Sequence, residues 1–373
     1  MWSGRSAVAI LLAMMLAGCS VPGRDAASAG LLLYVANAAD STITQMDGAS
    51  GSATVVPLPA GSTPEQVALG PNGSVLVLSH AATHAAKVFT ISPSRGRWTA
   101  RSVPVEVDGA RQMLLAGDGG PMAAVAYHVP AGDENGISLV CHLALVDVLT
   151  GSVRRTESVC RRGELVKALA VESSPSATTV YVGIMKLAPN IASSGAVVNG
   201  RVVAIDARSG AVVATAPLAG APAHVVLAGS SASPGRWLYV VEAAPGPDGD
   251  YAVGGWWRLL ALDPVMLDMQ REIALPYLPT GFVVAPGGDR AYALTPPDDT
   301  LRQVNLATGA ESVLAKLPGA GLGLAIAGDR VYVTSPYGSE VWAVDRRRGQ
   351  VVRTIHVGAH PVAMVVRGVL APQ

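Results

Sequence analysis

The chain repeats itself seven times between residues 31 and 366, and the repeat leaves few folds open. The last copy is the most regular. It runs Arg330-Val-Tyr-Val-Thr-Ser335, Glu340-Val-Trp-Ala-Val-Asp345, Gly349-Gln-Val-Val-Arg-Thr-Ile-His-Val-Gly358 and Pro361-Val-Ala-Met-Val-Val366. Each piece is an apolar stretch of strand length bounded by Gly, Pro or Asp. The same order recurs upstream, from Leu33-Tyr-Val-Ala-Asn37 through Thr179-Val-Tyr-Val182, Trp237-Leu-Tyr-Val240 and Ala291-Tyr-Ala-Leu294. It is degenerate in the second and third copies, at Val75-Leu-Val-Leu78 and Ala123-Ala-Val-Ala126. With 41 Gly, 26 Pro and only 2 Phe in 373 residues, the composition suits many short strands and frequent turns. One four-stranded unit cannot bury both of its faces; a closed ring of such units can. The expected fold is all-β, a seven-bladed β-propeller of four-stranded antiparallel blades.

Tyr332-Val333-Thr334-Ser335, with Asp345, Gly349 and Gly358-Ala-His-Pro361, resembles the YVTN-repeat signature. The resemblance covers nearly all of residues 31–366. It implies a propeller related in shape to quinoprotein amine dehydrogenase subunits. It also implies that Pro-x-x-Val-Ala-x is the innermost strand of each blade. The chain enters on a Tyr-Val strand and leaves on an inner strand, so the C-terminal strand is expected to complete the first blade and close the ring.

Asp47, Asp147, Asp206, Asp263 and Asp345 each end a third strand, most of them before a Gly-containing turn. They recur around the ring and cannot share one site, so they read as turn formers. Gly319-Ala-Gly-Leu-Gly323 precedes a strand and not a helix, which excludes a nucleotide-binding loop. No covalent haem, serine-hydrolase or zinc-protease motif is present. The formal net charge is zero and no basic run exceeds Arg346-Arg347-Arg348, in a predicted turn, so nucleic acid is not an expected partner.

Residues 1–18 read as a processing segment, with Arg5 ahead of a short apolar run over 7–16. Leu16-Ala17-Gly18-Cys19 resembles the lipobox of bacterial lipoproteins, which implies that Cys19 is lipidated. Residues 19–30 then form a tether, and residues 31–373 the propeller. Ser20 after the Cys favours the outer membrane in the Gram-negative rule. The expected location is the cell envelope, facing the periplasm or the exterior. Export permits a disulfide. A hairpin centred on Leu149-Thr150-Gly151 would set Cys141 and Cys160 opposite each other or one residue out of register, with two buried thiols as the alternative.

In such a propeller the loops between second and third strands, and those between blades, share a top face. Three long insertions fall there, at residues 128–138, 185–200 and 242–255. Loops of this length are usually functional or unstructured. Aligning the inner strands two places past the signature Pro gives Gln66, Gln112, Lys167, His224, Gly281, Gly323 and Ala363. The four polar residues fall in consecutive blades at the mouth of the channel and form the candidate ligand site. Lys167, the cation among them, would meet a small anion. Channel lining without a ligand is the competing reading.

His80, His84 and His128 fall near the same mouth, and a transition metal there is the alternative to solvated loop histidines. His142, His356 and His360 look incidental. No other cofactor is expected. The leading function is a membrane-anchored, monomeric propeller that binds a small anionic molecule, a peptide or an envelope protein on its top face. The alternatives are a lactonase-like hydrolase, a cofactor-bearing redox protein, or an envelope scaffold.

Overall fold

The computed structural model describes residues 30–367, apart from 82–85, 95–96, 108–111, 134–135, 157–158, 162, 175–176, 188–196, 229–235, 245–255 and 296–297. It contains 28 strands in seven four-stranded antiparallel sheets, the blades of a β-propeller. Blade I begins with β1 (Leu32–Asn37), β2 (Thr42–Asp47) and β3 (Ala53–Pro57). Blade II is β4 (Ser62–Leu69), β5 (Val75–Ala81), β6 (Ala86–Ser94) and β7 (Arg97–Val107). Blade III is β8 (Gln112–Gly117), β9 (Met122–Asp133), β10 (Gly136–Asp147) and β11 (Val153–Thr156). Blade IV is β12 (Glu164–Ser173), β13 (Thr178–Leu187), β14 (Val197–Asp206) and β15 (Val212–Leu218). Blade V is β16 (Ala221–Ala228), β17 (Trp237–Ala244), β18 (Trp256–Leu262) and β19 (Met269–Leu275). Blade VI is β20 (Gly281–Val284), β21 (Arg290–Thr295), β22 (Thr300–Asn305) and β23 (Glu311–Lys316). Blade VII is β24 (Leu324–Ala327), β25 (Arg330–Ser335), β26 (Glu340–Asp345) and β27 (Gln350–His356). Finally β28 (Pro361–Arg367) returns to pair antiparallel with β1, so the C-terminal strand closes the ring, as the phase of the repeat implies.

The repeated residues do related work in the blades that carry them. The second-strand tyrosines Tyr34, Tyr181, Tyr292 and Tyr332 are fully buried. Two of them donate into the next blade, Tyr332 to the Gly48 carbonyl (3.1 Å) and Tyr181 to the Pro264 carbonyl (3.0 Å). Tyr292 instead accepts from Arg346 Nε of the next blade at 2.7 Å. Tyr34, whose buried hydroxyl has no hydrogen-bond partner among the described residues, sets its ring edge-on to Trp98 of blade II at 5.8 Å. The aspartates end the third strands as expected. Asp345 Oδ1 accepts the backbone N–H groups of Arg347 and Arg348 (both 2.8 Å), and Asp147 Oδ1 those of Leu149 and Thr150 (both 3.0 Å). Those bonds hold the Asp345 carboxyl below the usual range, the Arg348 N–H first among them. Gly349 closes its turn at φ 65°, and a Cβ there would lie 2.3 Å from the Leu314 carbonyl. In blade V the same turn position holds Leu267 at φ 60°, with its side chain buried.

Two expectations change. The insertion at 128–138 is mainly ladder, because β9 and β10 stay paired out to Asp133↔Gly136. Much of the other two insertions, 188–196 and 245–255, lies outside the described residues. Cys141 and Cys160 are joined with Cα atoms 5.8 Å apart, but not as opposed hairpin residues. Leu143 pairs with Thr156, β11 ends there, and Cys160 lies beyond it in the link to β12.

Candidate functional site

The inner strands β28, β4, β8, β12, β16, β20 and β24 surround the axis, and their first residues form the top mouth. Cross-strand register decides which of their side chains share a level. Gln66 pairs with Leu78, Ala168 with Gly183, His224 with Val241, Gly281 with Leu294 and Ala363 with Ala36. Each partner lies two residues past the signature Tyr position of its strand. In blade III that position is Ala124, since Val148 N bonds the Pro121 carbonyl as Ala207 N bonds that of Thr178, three residues before Tyr181. Leu114, opposite Ala126, is thus the blade III residue at this level.

The proposed run of four polar residues therefore does not form one ring. Gln112 pairs with His128, two steps nearer the top than Gln66 and His224. Lys167 occupies a β-bulge between Val166 and Ala168, one step above them. The same bulge recurs at Glu65, Ala223 and Val362. A bulge leaves one residue without a ladder partner and re-aims its side chain. Glu65 and Lys167 thus hold equivalent positions in blades II and IV and carry opposite charges.

The local environments differ sharply. Gln66 Oε1 accepts the Leu115 N–H of the next blade at 2.7 Å, which leaves its amide N–H groups as its free function. His224 Nε2 lies 3.1 Å from the Pro279 carbonyl and so carries a proton there; burial lowers its pKa and favours the neutral ring. Its Nδ1 is then the acceptor. The Gln112 and His84 side chains lie outside the described residues. His128 is buried, and its Nε2 accepts the Val166 N–H at 3.0 Å. His80 Nδ1 sits 2.6 Å from Glu65 Oε1. These two histidines are level on neighbouring blades, but each bonds a different strand, and among the described residues no three His, Cys, Asp or Glu side chains converge to hold a metal.

The Glu65 hydrogen bond raises the His80 pKa above its ordinary 6.5. The pair therefore stabilises the protein fully below pH 6.5, and that contribution is lost as pH rises through the raised midpoint. In an NMR titration, Glu65→Gln is expected to bring the His80 midpoint back toward 6.5. A midpoint unmoved by that substitution would show that the pair is not the cause.

Lys167 has the opposite character. It is partly buried, desolvation pulls its pKa down, and among the described residues it has no carboxylate partner. Beside Glu65 the mouth widens into an open hollow of about 580 Å³, lined by Thr63, Gln66, Val362 and His360. His360, set aside as incidental from its place in the chain, lies at this mouth because β28 closes the ring against blade II.

In comparisons with known proteins, no family model matches the chain and no curated protein matches it. Solved structures do. AztD of Citrobacter koseri is similar over 91% of this chain and 98% of its own, with 16% identity and a TM-score of 0.51. A functionally unknown protein from Desulfotomaculum acetoxidans DSM 771 is similar over 90% and 98%, with 14% identity and a TM-score of 0.56. The dihydro-heme d1 dehydrogenase NirN, solved in complex with DHE, is similar over 90% of this chain and 74% of its own, with 14% identity and a TM-score of 0.52. At these identities the likeness is one of fold, and it makes this chain a seven-bladed β-propeller.

Proposed function

We propose that the protein is an exported, lipid-anchored propeller of the YVTN-repeat kind that binds a small anionic molecule at its top mouth. Cys19 is the anchor, the envelope its compartment, and the Cys141–Cys160 bridge a consequence of export. Lys167 carries the reading. A partly buried ammonium without a counter-charge is costly, and an anion in the mouth would supply what the fold omits. Its bulge takes it out of the ladder register of the strand. His224 Nδ1 and the Gln66 amide offer one acceptor and one donor group on the same rim. Concave sites with a few convergent polar groups are where ligands bind.

The test is a thermal-shift screen of small carboxylates, phosphate and sulfate on the purified protein. At least one anion is expected to raise the melting temperature, and Lys167→Met to remove that rise while the protein stays folded. Loss of a charged hydrogen bond costs about 1.5–3 kcal/mol, roughly ten- to hundredfold in affinity. A shift equal in wild type and Lys167→Met would place the anion elsewhere and end the proposal.

A further inference from the structure

The face opposite the mouth carries a second set of features that ligand binding does not use. Six third-to-fourth-strand hairpins reach it, each ended by the same Asp or Asn turn: Asp47, Asp147, Asp206, Asp263, Asn305 and Asp345. A shared turn on equivalent strands of a ring sets their tips at a common height. At those tips stand Leu149 in blade III, Arg208 in blade IV, Val265 and Met266 in blade V, and Arg347 and Arg348 in blade VII. Val265 and Met266 are 72% and 65% exposed, and Leu149 is 55% exposed. Large apolar side chains at the tips of rigid polar turns gain nothing from the fold. Beside the blade VII tip opens a hollow of about 840 Å³, lined by Arg290, Arg346, Arg347 and Arg348, with Asp329 as its acid. The turn aspartates are tied to the N–H groups of their own hairpins, and Asp268 and Asp289 are exposed acids beside the blade V and blade VI tips. Apolar tips interleaved with arginines match a surface that is apolar below and anionic above.

The chain itself enters on this face. The Gly48 N–H of the blade I hairpin bonds the Leu31 carbonyl at 2.8 Å, so Leu31 itself lies on the hairpin side. Eleven residues separate Cys19 from Leu31, a reach of at most about 40 Å even when fully extended.

We infer that this hairpin face rests on a phospholipid surface, with Val265, Met266 and Leu149 entering the headgroup layer and Arg208, Arg347 and Arg348 meeting lipid phosphates. The inference deepens the proposed function and rests on its anchor reading for the nearness of the bilayer. The ligand mouth then faces away from the membrane. Arginine forks suit phosphate oxygens, and the attraction is screened by salt.

The test uses the full chain, purified from membranes and reconstituted into phosphatidylethanolamine–phosphatidylglycerol vesicles that carry a headgroup nitroxide. Met266→Cys and Tyr337→Cys, the latter 86% exposed on the top face, are each labelled with a thiol-reactive fluorophore. Quenching at position 266 is expected to exceed that at 337 several-fold. Arg347→Glu with Arg348→Glu, or high salt, is expected to shrink the difference. Equal quenching at the two positions in an acylated, vesicle-bound chain overturns the orientation and leaves the anchor standing. A chain whose mass shows no acyl group, yet quenches at 266, ends the anchor reading and keeps the surface. A chain that is neither acylated nor quenched ends both.

Discussion

Deletion of residues 361–373 is expected to abolish the cooperative thermal transition. These residues include β28, which pairs with β1 from Leu32↔Arg367 to Asn37↔Pro361. Its two faces serve two different cores. Val362, Ala363 and Val365 pack against the cluster of Tyr34, Ala36, Val56 and Val75. Met364 and Val366 pack against Leu33, Val35, Ala327 and Tyr332. Removal would bare one edge of β1 and open both neighbouring blade interfaces. Five apolar side chains at about 1–3 kcal/mol each, together with the ladder hydrogen bonds, compare with the whole stability of a typical domain, about 5–15 kcal/mol. The measurement is a melt followed by circular dichroism, with a synthetic peptide of residues 361–373 added in trans to restore the transition. A truncated chain that melts cooperatively near the wild-type temperature would contradict ring closure by β28.

Arg258→Ala is expected to be the most damaging single truncation of a charged side chain at the top of the blades. Glu242 is completely buried. Its Oε1 accepts the Gly220 N–H, and its Oε2 accepts Arg258 Nε at 2.6 Å. Arg258 also bonds Glu272 at 2.9 Å and lies 4.6 Å over the Trp256 ring. Removing the guanidinium leaves a carboxylate in the interior without its partner, a loss of about 3–5 kcal/mol. Adding Glu242→Leu removes the orphaned charge as well and is expected to recover much of that loss. The rescue separates charge burial from lost packing, because a purely steric role for Arg258 predicts a further drop in the double variant. Urea melts of the two variants and the wild type decide it.

The two experiments probe features of very different visibility. Ring closure could be read from the order of pieces: a chain that starts on a Tyr-Val strand and ends on Pro361-Val-Ala-Met-Val-Val366 has one strand too few at the start and one spare at the end. The turn role of Asp47, Asp147, Asp206, Asp263 and Asp345 was equally local, since an Asp side chain bonds backbone two and three residues on. Glu242 gave no such signal. It follows a Tyr-Val strand at a position held elsewhere by Asn37, Ser79 and Thr295, and its arginine partner stands 16 residues away, across an insertion.

The site shows the same divide. Strand number, blade number, turn positions and the two faces follow from periodicity and from Gly, Pro and Asp placement, all of which act over a few residues. The level of an inner-strand side chain depends instead on how many residues the strand accommodates against its partner. Blades II, IV and V each hold a bulge in the inner strand; among its described residues, blade III holds none. Because successive side chains point to opposite faces, one residue more or less moves a side chain to the other face and another level. That is why Gln66 and His224 share a level as expected, while Lys167 stands one step away and Gln112 two. Whether a bulge forms is settled by the packing of each inner strand against its own blade and its neighbours, an energy that no short stretch of the chain contains.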